Sequence, residues 1–384
     1  MKIIESLDSY YPHFDGPIQV VTNNTKILNT FDGVSAEVVV PKVPKYTDNQ
    51  PFNVFRVKSI AGVDGYRTPI PGCDGKLKKH LKSEKIDVIH IHSPFTMCGF
   101  FTKYGKKHKI PTIFTFHTKF KEDFERVLKA KWKVNIAMKY IMKNINRADY
   151  VLTVSNGAAD CLREYGYKGE IKVIRNGTDL TYSKEAEKLQ NEVSEKYGLK
   201  DNDTIFLSVG RIVENKKLSF ALDVMKKLKD DGVDYKYLIV GSGSYENELK
   251  KKVEDLELTD RVIFTGKIMD RTMLSAVYLR ADLFIFPSTF DTASLAPIEA
   301  AAMKLPTIMN RWCSTAEIIT DQVNGILAEE TVDDWAKCIQ DAIKNKKLAK
   351  LKEPAYKEVY RTWEDVSKEL YDFYEQVVEE GKKK

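Results

Sequence analysis

The sequence has little cysteine and no long hydrophobic run. Its 384 residues include five cysteines, far apart and without a Cys-x-x-Cys pair, which argues against a disulfide framework and against a cysteine zinc site. The N-terminal stretch carries acidic residues early and has no apolar core, so no signal peptide is predicted. No segment reaches the ~18–20 consecutive apolar residues that a membrane-spanning helix needs. We therefore expect a protein of the reducing cytoplasm.

Two other patterns are missing. The six histidines show no metal-ligand spacing such as His-x3-His. No Gly-x-Gly-x-x-Gly follows the first predicted strand, which excludes a Rossmann dehydrogenase. Asp201 and Asp203 form an Asp-x-Asp pair, but they precede a predicted strand instead of following one, so we interpret them as a turn. We predict that the protein requires no metal and no other cofactor.

Charge is distributed unevenly along the chain, whose net charge is +6. Residues 1–180 contain 29 Lys and Arg against 18 Asp and Glu, whereas the remaining residues contain 32 against 37. One explanation is a general bias of the sequence toward lysine. The other is an anionic partner of the N-terminal half, and nucleic acid, a membrane surface and a phosphorylated substrate all fit that description.

Short apolar runs alternate with amphipathic segments along most of the chain. Each run is apolar on both faces, which is typical of buried parallel strands. The runs lie at 87–92, 112–116, 150–154, 171–174, 205–209, 237–240, 262–265, 283–286 and 306–309. Because helical patterns separate them, we predict an α/β fold with parallel sheets that are covered by helices on both faces.

The alternation breaks at a polar, charged stretch near residues 181–199, which we interpret as a linker. The linker separates an N-terminal domain, residues 1–180, from a C-terminal domain, residues 200–360. A last amphipathic helix is predicted over about 363–380, because its apolar residues recur at helical spacing. We expect this helix to pack back on the N-terminal domain.

Candidate binding residues follow the predicted strands, because ligands of open α/β sheets bind beyond the carboxyl ends of the strands. Gly210, Arg211 and Lys216 follow the fifth run, and a glycine with two cations suits a diphosphate. Gly241 and Gly243 follow the next run. Taken alone, these two glycines are typical of an ordinary turn.

Two carboxylates follow the run at 283–286. Asp291 lies in a predicted loop, a helix is predicted to open near Ala293, and Glu299 lies on that helix. The helix N-terminus presents free N–H groups to an anion, and the two carboxylates can serve different hydroxyl groups of one ligand. By spacing alone, an ordinary capped helix with a solvated glutamate is the favoured interpretation.

The order and spacing of these motifs resemble the retaining glycosyltransferases of GT-B architecture, specifically glycosyltransferase family 4 (group 1). The resemblance covers nearly the whole chain and rests on Tyr10–Gly16, His90–Phe95, Phe114–Phe120, Arg175–Asp179, Gly210–Lys216, Val240–Gly243, Phe264–Gly266 and Asp291–Glu299 followed by AAAMKLPTIM. Asp291 stands where the family has a glutamate. The resemblance implies two doubly wound, Rossmann-like domains that face a cleft, the N-terminal one on the acceptor side and the C-terminal one binding the nucleotide sugar.

The resemblance also implies roles for individual residues. Arg211 and Lys216 would stabilise the negative charge that grows on the departing diphosphate. His117 would hydrogen-bond the donor sugar, Asp291 would contact a sugar hydroxyl, and Glu299 would accept hydrogen bonds from the ribose. His92 would act only indirectly. The other expected donor-binding residues are Gly16, Gly210, Gly241, Gly243, Ser294 and Leu295.

The implied function is transfer of a hexose from a nucleotide diphosphate sugar to a hydroxyl acceptor, with retention of configuration. UDP-glucose and UDP-N-acetylglucosamine are the commonest donors of the family. No protein nucleophile and no nucleic acid partner are expected. Two alternatives remain open. One is a nucleotide-sugar epimerase of the same fold, which needs no acceptor, and the other is a nucleotide-binding pseudoenzyme, suggested by Asp291.

A basic segment follows His117. Residues 119–147 contain nine Lys and Arg against three acidic residues, with apolar residues between the cations. One interpretation is a core-packed helix with a solvated basic face. The other is an interfacial segment on an anionic membrane leaflet that includes Lys129, Lys131, Trp132 and Lys133. It predicts a peripheral association with the inner face of the membrane and a lipid or glycolipid acceptor.

Overall fold

Two structural units make up the chain in the computed structural model, which describes residues 1–13, 15–62 and 65–383. The first unit consists of Met1–Asn176 together with the segment that begins at Trp363. The second unit is Gly177–Thr362. The division thus falls just before the boundary that we expected at residue 180.

The first unit contains a seven-stranded parallel sheet with the strand order β3-β2-β1-β6-β7-β8-β9, and a small antiparallel hairpin, β4–β5. The strands are β1 (Lys2–Ser6), β2 (Ser35–Pro41), β3 (Val54–Val57), β4 (Ser59–Ala61), β5 (Arg67–Pro69), β6 (Val88–Ile91), β7 (Thr112–Phe116), β8 (Tyr150–Thr153) and β9 (Lys172–Val173). The helices are α1 (Gly16–Leu28), α2 (Gly75–Ser83), α3 (Thr96–His108), α4 (Phe120–Leu128), α5 (Lys131–Ile145) and α6 (Asn156–Glu164). Every residue of β6 and β7 is buried, as expected for central strands of a parallel sheet.

The second unit contains a six-stranded parallel sheet with the strand order β12-β11-β10-β13-β14-β15. Its strands are β10 (Ile205–Val209), β11 (Lys236–Val240), β12 (Val262–Gly266), β13 (Leu283–Phe286), β14 (Thr307–Asn310) and β15 (Gly325–Ala328). Its helices are α7 (Lys184–Lys188), α8 (Gln190–Tyr197), α9 (Leu218–Asp230), α10 (Glu246–Asp255), α11 (Arg271–Arg280), α12 (Ala296–Ala302), α13 (Val332–Lys344) and α14 (Lys347–Pro354). The prediction of two doubly wound parallel sheets is confirmed.

The last helix, α15 (Trp363–Lys383), belongs to the first unit although the second unit precedes it in the chain. It packs against α1, and Oγ of Ser367 donates a hydrogen bond to Oδ1 of Asn24 over 3.0 Å. Both of these polar side chains are buried. The chain therefore returns to its first unit through α15, which packs against that unit and finds a hydrogen-bond partner in it for its buried Ser367.

The stretch that we interpreted as a linker, residues 181–199, is not a linker. It forms α7 and α8, which pack against α11 inside the second unit. Ala186 and Val193 are fully buried. The two helices are short and bury few side chains, so their sequence is dominated by exposed polar residues and lacks a strong helical pattern.

Each sheet has one switch point, where the strand order reverses. It lies between β1 and β6 in the first sheet and between β10 and β13 in the second. The loops at the carboxyl ends of the strands diverge at a switch point and leave a crevice in which doubly wound proteins bind ligands. The loops after β1, β6 and β7 carry Asp8, His92 and His117, and those after β10 and β13 carry Lys216 and Asp291. Candidate residues are therefore present at both switch points.

Candidate functional site

Lys216 and Asp291 form an ion pair at the switch point of the second sheet. Nζ of Lys216 lies 2.6 Å from Oδ1 of Asp291, and the side chains are 20% and 17% exposed. Oδ2 of Asp291 is buried and has no hydrogen-bond partner in the described part of the chain. Arg211 is exposed and lines a small pocket together with Lys216 and Ser288. The structure thus brings the two predicted cations to one place and pairs one of them with a predicted carboxylate.

The loops that follow β10 and β11 are packed backbone against backbone. The N–H group of Gly210 donates to the carbonyl oxygen of Val240 over 3.0 Å. A Cβ on Gly241 would lie 1.8 Å from the carbonyl oxygen of Gly210, and a Cβ on Gly243 would lie 2.1 Å from that of Ile212. Only glycine fits at positions 241 and 243 because the loops approach this closely. The donor-binding role expected for these glycines stays a prediction.

Glu299 is buried, so the interpretation as a solvated glutamate is wrong. Its Oε1 accepts a hydrogen bond from Nη2 of Arg271 and its Oε2 accepts one from the hydroxyl of Tyr278, both over 2.9 Å. Arg271 also pairs with Asp179. Burial raises the pKa of Tyr278 well above its ordinary value, and the adjacent Glu299 raises it further, so the phenol remains a donor. Sequence reasoning missed Arg271 and Tyr278, because they lie on α11 and only the tertiary structure brings that helix to Glu299 on α12.

The other predicted donor-binding residues lie near helix starts. α12 begins at Ala296 and not near Ala293. Ser294 and Leu295, both partly buried, directly precede it, and Leu295 at the N-cap position makes no capping hydrogen bond with its side chain. Gly16 is the first residue of α1, and beyond its chain neighbours and its own helix no heavy atom of the described residues would lie within 4 Å of a Cβ there. A larger side chain at position 16 would therefore not clash with the described residues, so steric fit does not explain the glycine there.

In the first unit, His92 connects Glu5 with His117. Nε2 of His92 lies 2.6 Å from Oε2 of Glu5, and Nδ1 of His92 lies 2.9 Å from Nε2 of His117. Burial lowers the pKa of His92 to about 4 and that of His117 well below its ordinary value, so both rings are neutral near pH 7. A neutral His92 that donates to a carboxylate must accept through Nδ1. His117 therefore carries its proton on Nε2, and its Nδ1 is an acceptor.

Helix α15 contributes Tyr374 to the same network. The hydroxyl of Tyr374 donates to Oε1 of Glu5 over 2.9 Å and lies 2.5 Å from Nδ1 of His90, whose Nε2 lies 2.6 Å from Oγ1 of Thr115. Burial raises the pKa of Glu5, but His90 and His92 outweigh burial and hold this pKa well below its usual range. Glu5 is thus an ionised carboxylate inside the core. Sequence reasoning missed Glu5 and Tyr374, which lie 369 positions apart.

Among the residues that the structure describes, one group could hold a metal ion: Glu5, His90 and His92. The nitrogen and oxygen atoms that these side chains would offer as ligands all lie within 4.8 Å of one another. Each nitrogen and each carboxylate oxygen of this group is already hydrogen-bonded to a protein group. Asp203 accepts a hydrogen bond from the N–H group of Lys200 in the turn before β10. The absence of a metal requirement stays a prediction.

The basic segment 119–147 forms two helices, α4 and α5, that separate at Lys129, which has a φ of 52°. On α5, Trp132, Ile136 and Tyr140 are 64%, 60% and 45% exposed and recur at intervals of four residues. We call these three residues the exposed stripe. The lysines at positions 129, 131 and 133 are also exposed. Core packing therefore explains only the opposite face of α5, where Val134, Ile141 and Ile145 are buried. In the described ranges, no helix is both long and apolar enough to cross a bilayer.

Two family models match the chain, one for each unit. The model described as "Glycosyltransferase Family 4" matches residues 28–182. The model described as "Glycosyl transferases group 1" matches residues 190–358. Together they span most of the sequence, in the order that the resemblance of the motifs predicted.

Named relatives and solved structures agree with these matches. The chain is 28% identical to the alpha-monoglucosyldiacylglycerol synthase of Streptococcus pneumoniae, over 85% of this chain and 75% of the relative. It is 24% identical to the enzyme of the same name from Acholeplasma laidlawii, over 85% and 84%. Among solved structures, the sucrose-phosphate synthase of Thermosynechococcus elongatus has a TM-score of 0.78 at 17% identity, covering 98% of both chains. HepE of Anabaena in complex with UDP has a TM-score of 0.76 at 17% identity, covering 98% of this chain and 100% of HepE.

Proposed function

We propose, from the premise that the chain belongs to the glycosyltransferases of group 1 and family 4, that it is a retaining hexosyltransferase with a lipid or glycolipid acceptor. The hexose would come from UDP-glucose or UDP-N-acetylglucosamine. The observation that carries the proposal is the ion pair of Lys216 with Asp291 beside Arg211, at the switch point of the second sheet. The names of the two bacterial synthases support a glucosyl donor and a diacylglycerol-type acceptor.

The second unit would bind the donor and assist the departure of its diphosphate. Negative charge grows on the β-phosphate as the bond to the sugar breaks, and fixed cations stabilise that charge more than they stabilise the ground state. Lys216 is held in place by Oδ1 of Asp291, and the exposed Arg211 would contact the phosphates from the same pocket. Oδ2 of Asp291, which is buried and has no hydrogen-bond partner among the described residues, would accept a hydrogen bond from a sugar hydroxyl. Retention is proposed from front-face attack, in which the departing phosphate oxygen takes the proton of the acceptor hydroxyl.

His117 would recognise a hydroxyl group and would not neutralise charge. Its ring is neutral, its proton lies on Nε2 toward His92, and its Nδ1 can accept a hydrogen bond. Such a group orients a sugar hydroxyl without placing a positive charge beside an oxocarbenium-like sugar. The role proposed for His117 therefore needs the hydrogen-bond chain behind it.

The exposed stripe would lie on the membrane surface. Trp132 is an amphipathic side chain suited to the lipid headgroup region, and the flanking lysines attract anionic lipids by ~1 kcal/mol each before screening. A helix of this kind rests on one leaflet without crossing it. This peripheral contact would bring the first unit to an acceptor that is itself embedded in the membrane.

The proposal is tested by measuring nucleotide release and product formation with purified protein. UDP-glucose, UDP-N-acetylglucosamine and GDP-mannose are offered with diacylglycerol in anionic vesicles, and the anomeric configuration of the product is read by nuclear magnetic resonance. We expect an α-linked glycolipid from a UDP-sugar. Formation of a new nucleotide sugar without any acceptor identifies an epimerase, and donor binding without any turnover identifies a pseudoenzyme.

A further inference from the structure

Helix α15 places a tyrosine in the core of the first unit, beside a carboxylate. Tyr374 is fully buried, and its hydroxyl donates a hydrogen bond to Oε1 of Glu5 over 2.9 Å. The same hydroxyl lies 2.5 Å from Nδ1 of His90. Glu5 and His90 are themselves cross-strand neighbours on β1 and β6. A residue that follows the whole second unit in sequence therefore contacts the polar side chains that lead from β1 toward His117.

The protons of this group can be assigned from the ionised Glu5, which can only accept hydrogen bonds. Burial raises the pKa of Tyr374 well above its ordinary value, and the neighbouring carboxylate raises it further, so the phenol keeps its proton. The phenol donates that proton to Glu5. The phenolic oxygen consequently accepts a hydrogen bond from His90, whose Nδ1 must carry a proton. Tyr374 thus stands between the two groups, receiving a hydrogen bond from His90 and donating one to Glu5.

This arrangement leaves the second oxygen of Glu5 to His92. Nε2 of His92 lies 2.6 Å from Oε2 of Glu5, whereas Nδ1 of His90 lies 3.4 Å from the same oxygen. Without the phenolic oxygen, the Nδ1–H group of His90 would turn to Oε2 and compete with His92. Oε1 would also lose its donor from Tyr374, and a weakly paired ionised oxygen is costly in a buried position. The hydroxyl of Tyr374 therefore stabilises the pairing of His92 with Glu5.

Packing alone does not explain this hydroxyl group. α15 is attached to the first unit by the buried hydrogen bond of Ser367 and by buried apolar residues at positions 366, 370, 373 and 377. A phenylalanine at position 374 would keep the edge-on contact with the ring of His90, whose centroid lies 5.7 Å away. It would also avoid the free-energy cost of burying a polar group beside a charge. What the hydroxyl adds is the hydrogen bond to Glu5.

Three hydrogen bonds connect Tyr374 with His117, through Glu5 and His92. Because Nε2 of His92 donates to Glu5, Nδ1 of His92 accepts from Nε2 of His117 over 2.9 Å. Nδ1 of His117 is then the acceptor that the proposed function assigns to a sugar hydroxyl. If His92 changed its tautomer, the proton of His117 would move to Nδ1 and turn that acceptor into a donor.

We propose that Tyr374 is a positioning residue for His117: it holds Glu5 in the pairing with His92 that presents an acceptor nitrogen to the sugar. The inference rests on the proposed function and adds to it a requirement for the last helix of the chain. Tyr374 acts through Glu5 and His92 and does not contact the substrate. Because α15 follows the second unit in sequence, the sugar-recognition site of the first unit is complete only when the whole chain has folded.

The test compares Tyr374→Phe with the wild type, both as full-length protein labelled with nitrogen-15 in the histidines. Imidazole spectra report which nitrogen of each ring carries a proton. UDP binding and hexose transfer from UDP-glucose and UDP-N-acetylglucosamine to dioleoylglycerol in anionic vesicles are measured on the same samples.

Two matched controls loosen α15 without touching the histidines. Ser367→Ala removes the buried hydrogen bond from α15 to Asn24. Tyr150→Phe makes the same chemical change as Tyr374→Phe and removes the hydrogen bond from β8 to Glu380 of α15. Any loss that all the variants share would come from the attachment of the helix.

The wild-type spectra should show protons on Nε2 of His92, on Nε2 of His117 and on Nδ1 of His90. This measurement needs no variant, so it stands even if Tyr374→Phe fails to fold. A proton on Nδ1 of His117 in the wild type overturns the proposal.

In Tyr374→Phe we expect mixed tautomers at His92 and His117 and a kcat about tenfold lower, by analogy with the ~10–100-fold loss when an outer-shell partner of a metal-bound histidine is removed. UDP affinity should not change, because UDP lacks the sugar, and both controls should keep wild-type tautomers and turnover. Wild-type tautomers and turnover in Tyr374→Phe overturn the proposal, as do equal losses in all three variants. If the wild type neither binds nor uses a UDP-sugar, the proposed function fails, and the tautomers alone decide whether Tyr374 orients His117.

Discussion

Nδ1 of His92 lies 2.9 Å from Nε2 of His117, and this contact decides which nitrogen of His117 carries the proton. The buried Glu5 determines this tautomer, because the other nitrogen of His92 donates its proton to the ionised Glu5 and leaves Nδ1 as an acceptor. A residue at the carboxyl end of β7 therefore takes its hydrogen-bonding character from a carboxylate on β1. Tyr374 of α15 donates a hydrogen bond to Glu5, so the protonation of His117 also depends on the last helix of the chain.

We predict that Glu5→Gln lowers kcat by about tenfold, by analogy with the ~10–100-fold loss when a carboxylate that orients a metal-ligating histidine is removed. The amide can present N–H to His92, which would then donate through Nδ1 and compete with the proton of His117. Nitrogen-15 spectra of the imidazoles report the tautomers directly. Glu37→Gln is the matched control, because Glu37 is equally buried and contacts His80. Equal activity losses in both variants would assign a purely structural role to Glu5.

Acid should destabilise the first unit between pH 6.5 and about 4. The pKa of His92 is lowered to about 4 in the fold, so the unfolded chain binds more protons in this range and the free energy of unfolding falls as the pH falls. His117 and Glu5, whose pKa values are also lowered, act in the same direction. Asp8, with its raised pKa, opposes them. Urea unfolding monitored at pH 7, 5.5 and 4.5 measures the slope, and His92→Gln should flatten it.

Replacement of Lys216 by alanine should reduce kcat by ~10²–10³-fold, the cost typical of losing one preorganised electrostatic donor at an active site. The fold should persist, because Lys216 is partly exposed. Lys227→Ala is a suitable control, since Lys227 pairs with Asp231 on the surface of the same unit. If both lysine variants retain wild-type turnover with a confirmed donor, Lys216 does not act on the leaving group.

Glu299→Gln should weaken donor binding and should also lower the stability of the second unit. The amide leaves Arg271 and Tyr278 with a weaker acceptor, and a hydrogen bond to a charged group contributes ~1.5–3 kcal/mol. For a unit of this size, 1 kcal/mol corresponds to ~2–4 °C in Tm. We expect a lower Tm without ligand and a smaller stabilisation by UDP. An unchanged Tm together with weaker UDP binding would show that Glu299 serves the ligand alone.

Membrane binding should depend on where the lysines lie on the surface as well as on the net charge of the protein. Changing Lys129, Lys131 and Lys133 to Glu should abolish sedimentation with anionic vesicles, and raising the salt concentration should weaken binding of the wild type. The control changes three exposed lysines of α2, at positions 76, 78 and 79, to Glu and alters the net charge equally. Equal losses in both triple variants would indicate nonspecific attraction and remove the interfacial role of α5.

Turnover is expected to persist in excess chelator, because Arg211 and Lys216 supply the positive charge that a metal would bring to a diphosphate. The assay compares initial rates with and without EDTA, and then after addition of Mg²⁺ or Mn²⁺. A complete loss that either metal restores would contradict this expectation. It would direct attention to Glu5, His90 and His92, the described residues whose ligand atoms are close enough together.

From the amino-acid sequence alone, the parallel α/β class, the resemblance to the family and the strand-end motifs could be predicted, but the apolar runs left out β1, β2, β3 and β15. Buried parallel strands are apolar on both faces, so β7, β10 and β13 have the bounds that their apolar runs predicted. Lys216 and Asp291 were identified because each follows such a strand, and the ends of parallel strands meet at one edge. The short helices α7 and α8 were missed, since their few buried residues give no clear pattern.

The contacts of each candidate residue, in contrast, could be read only from the three-dimensional packing. Glu5 and Tyr374 reach the histidines from opposite ends of the chain, and Arg271 and Tyr278 reach Glu299 from another helix. Hydrogen-bond partners are fixed by packing in three dimensions, and neither periodicity nor motif spacing carries that information. The same holds for Asp8, whose burial, with one oxygen unpaired among the described residues, arises only when α3 and the loop after β6 close over it.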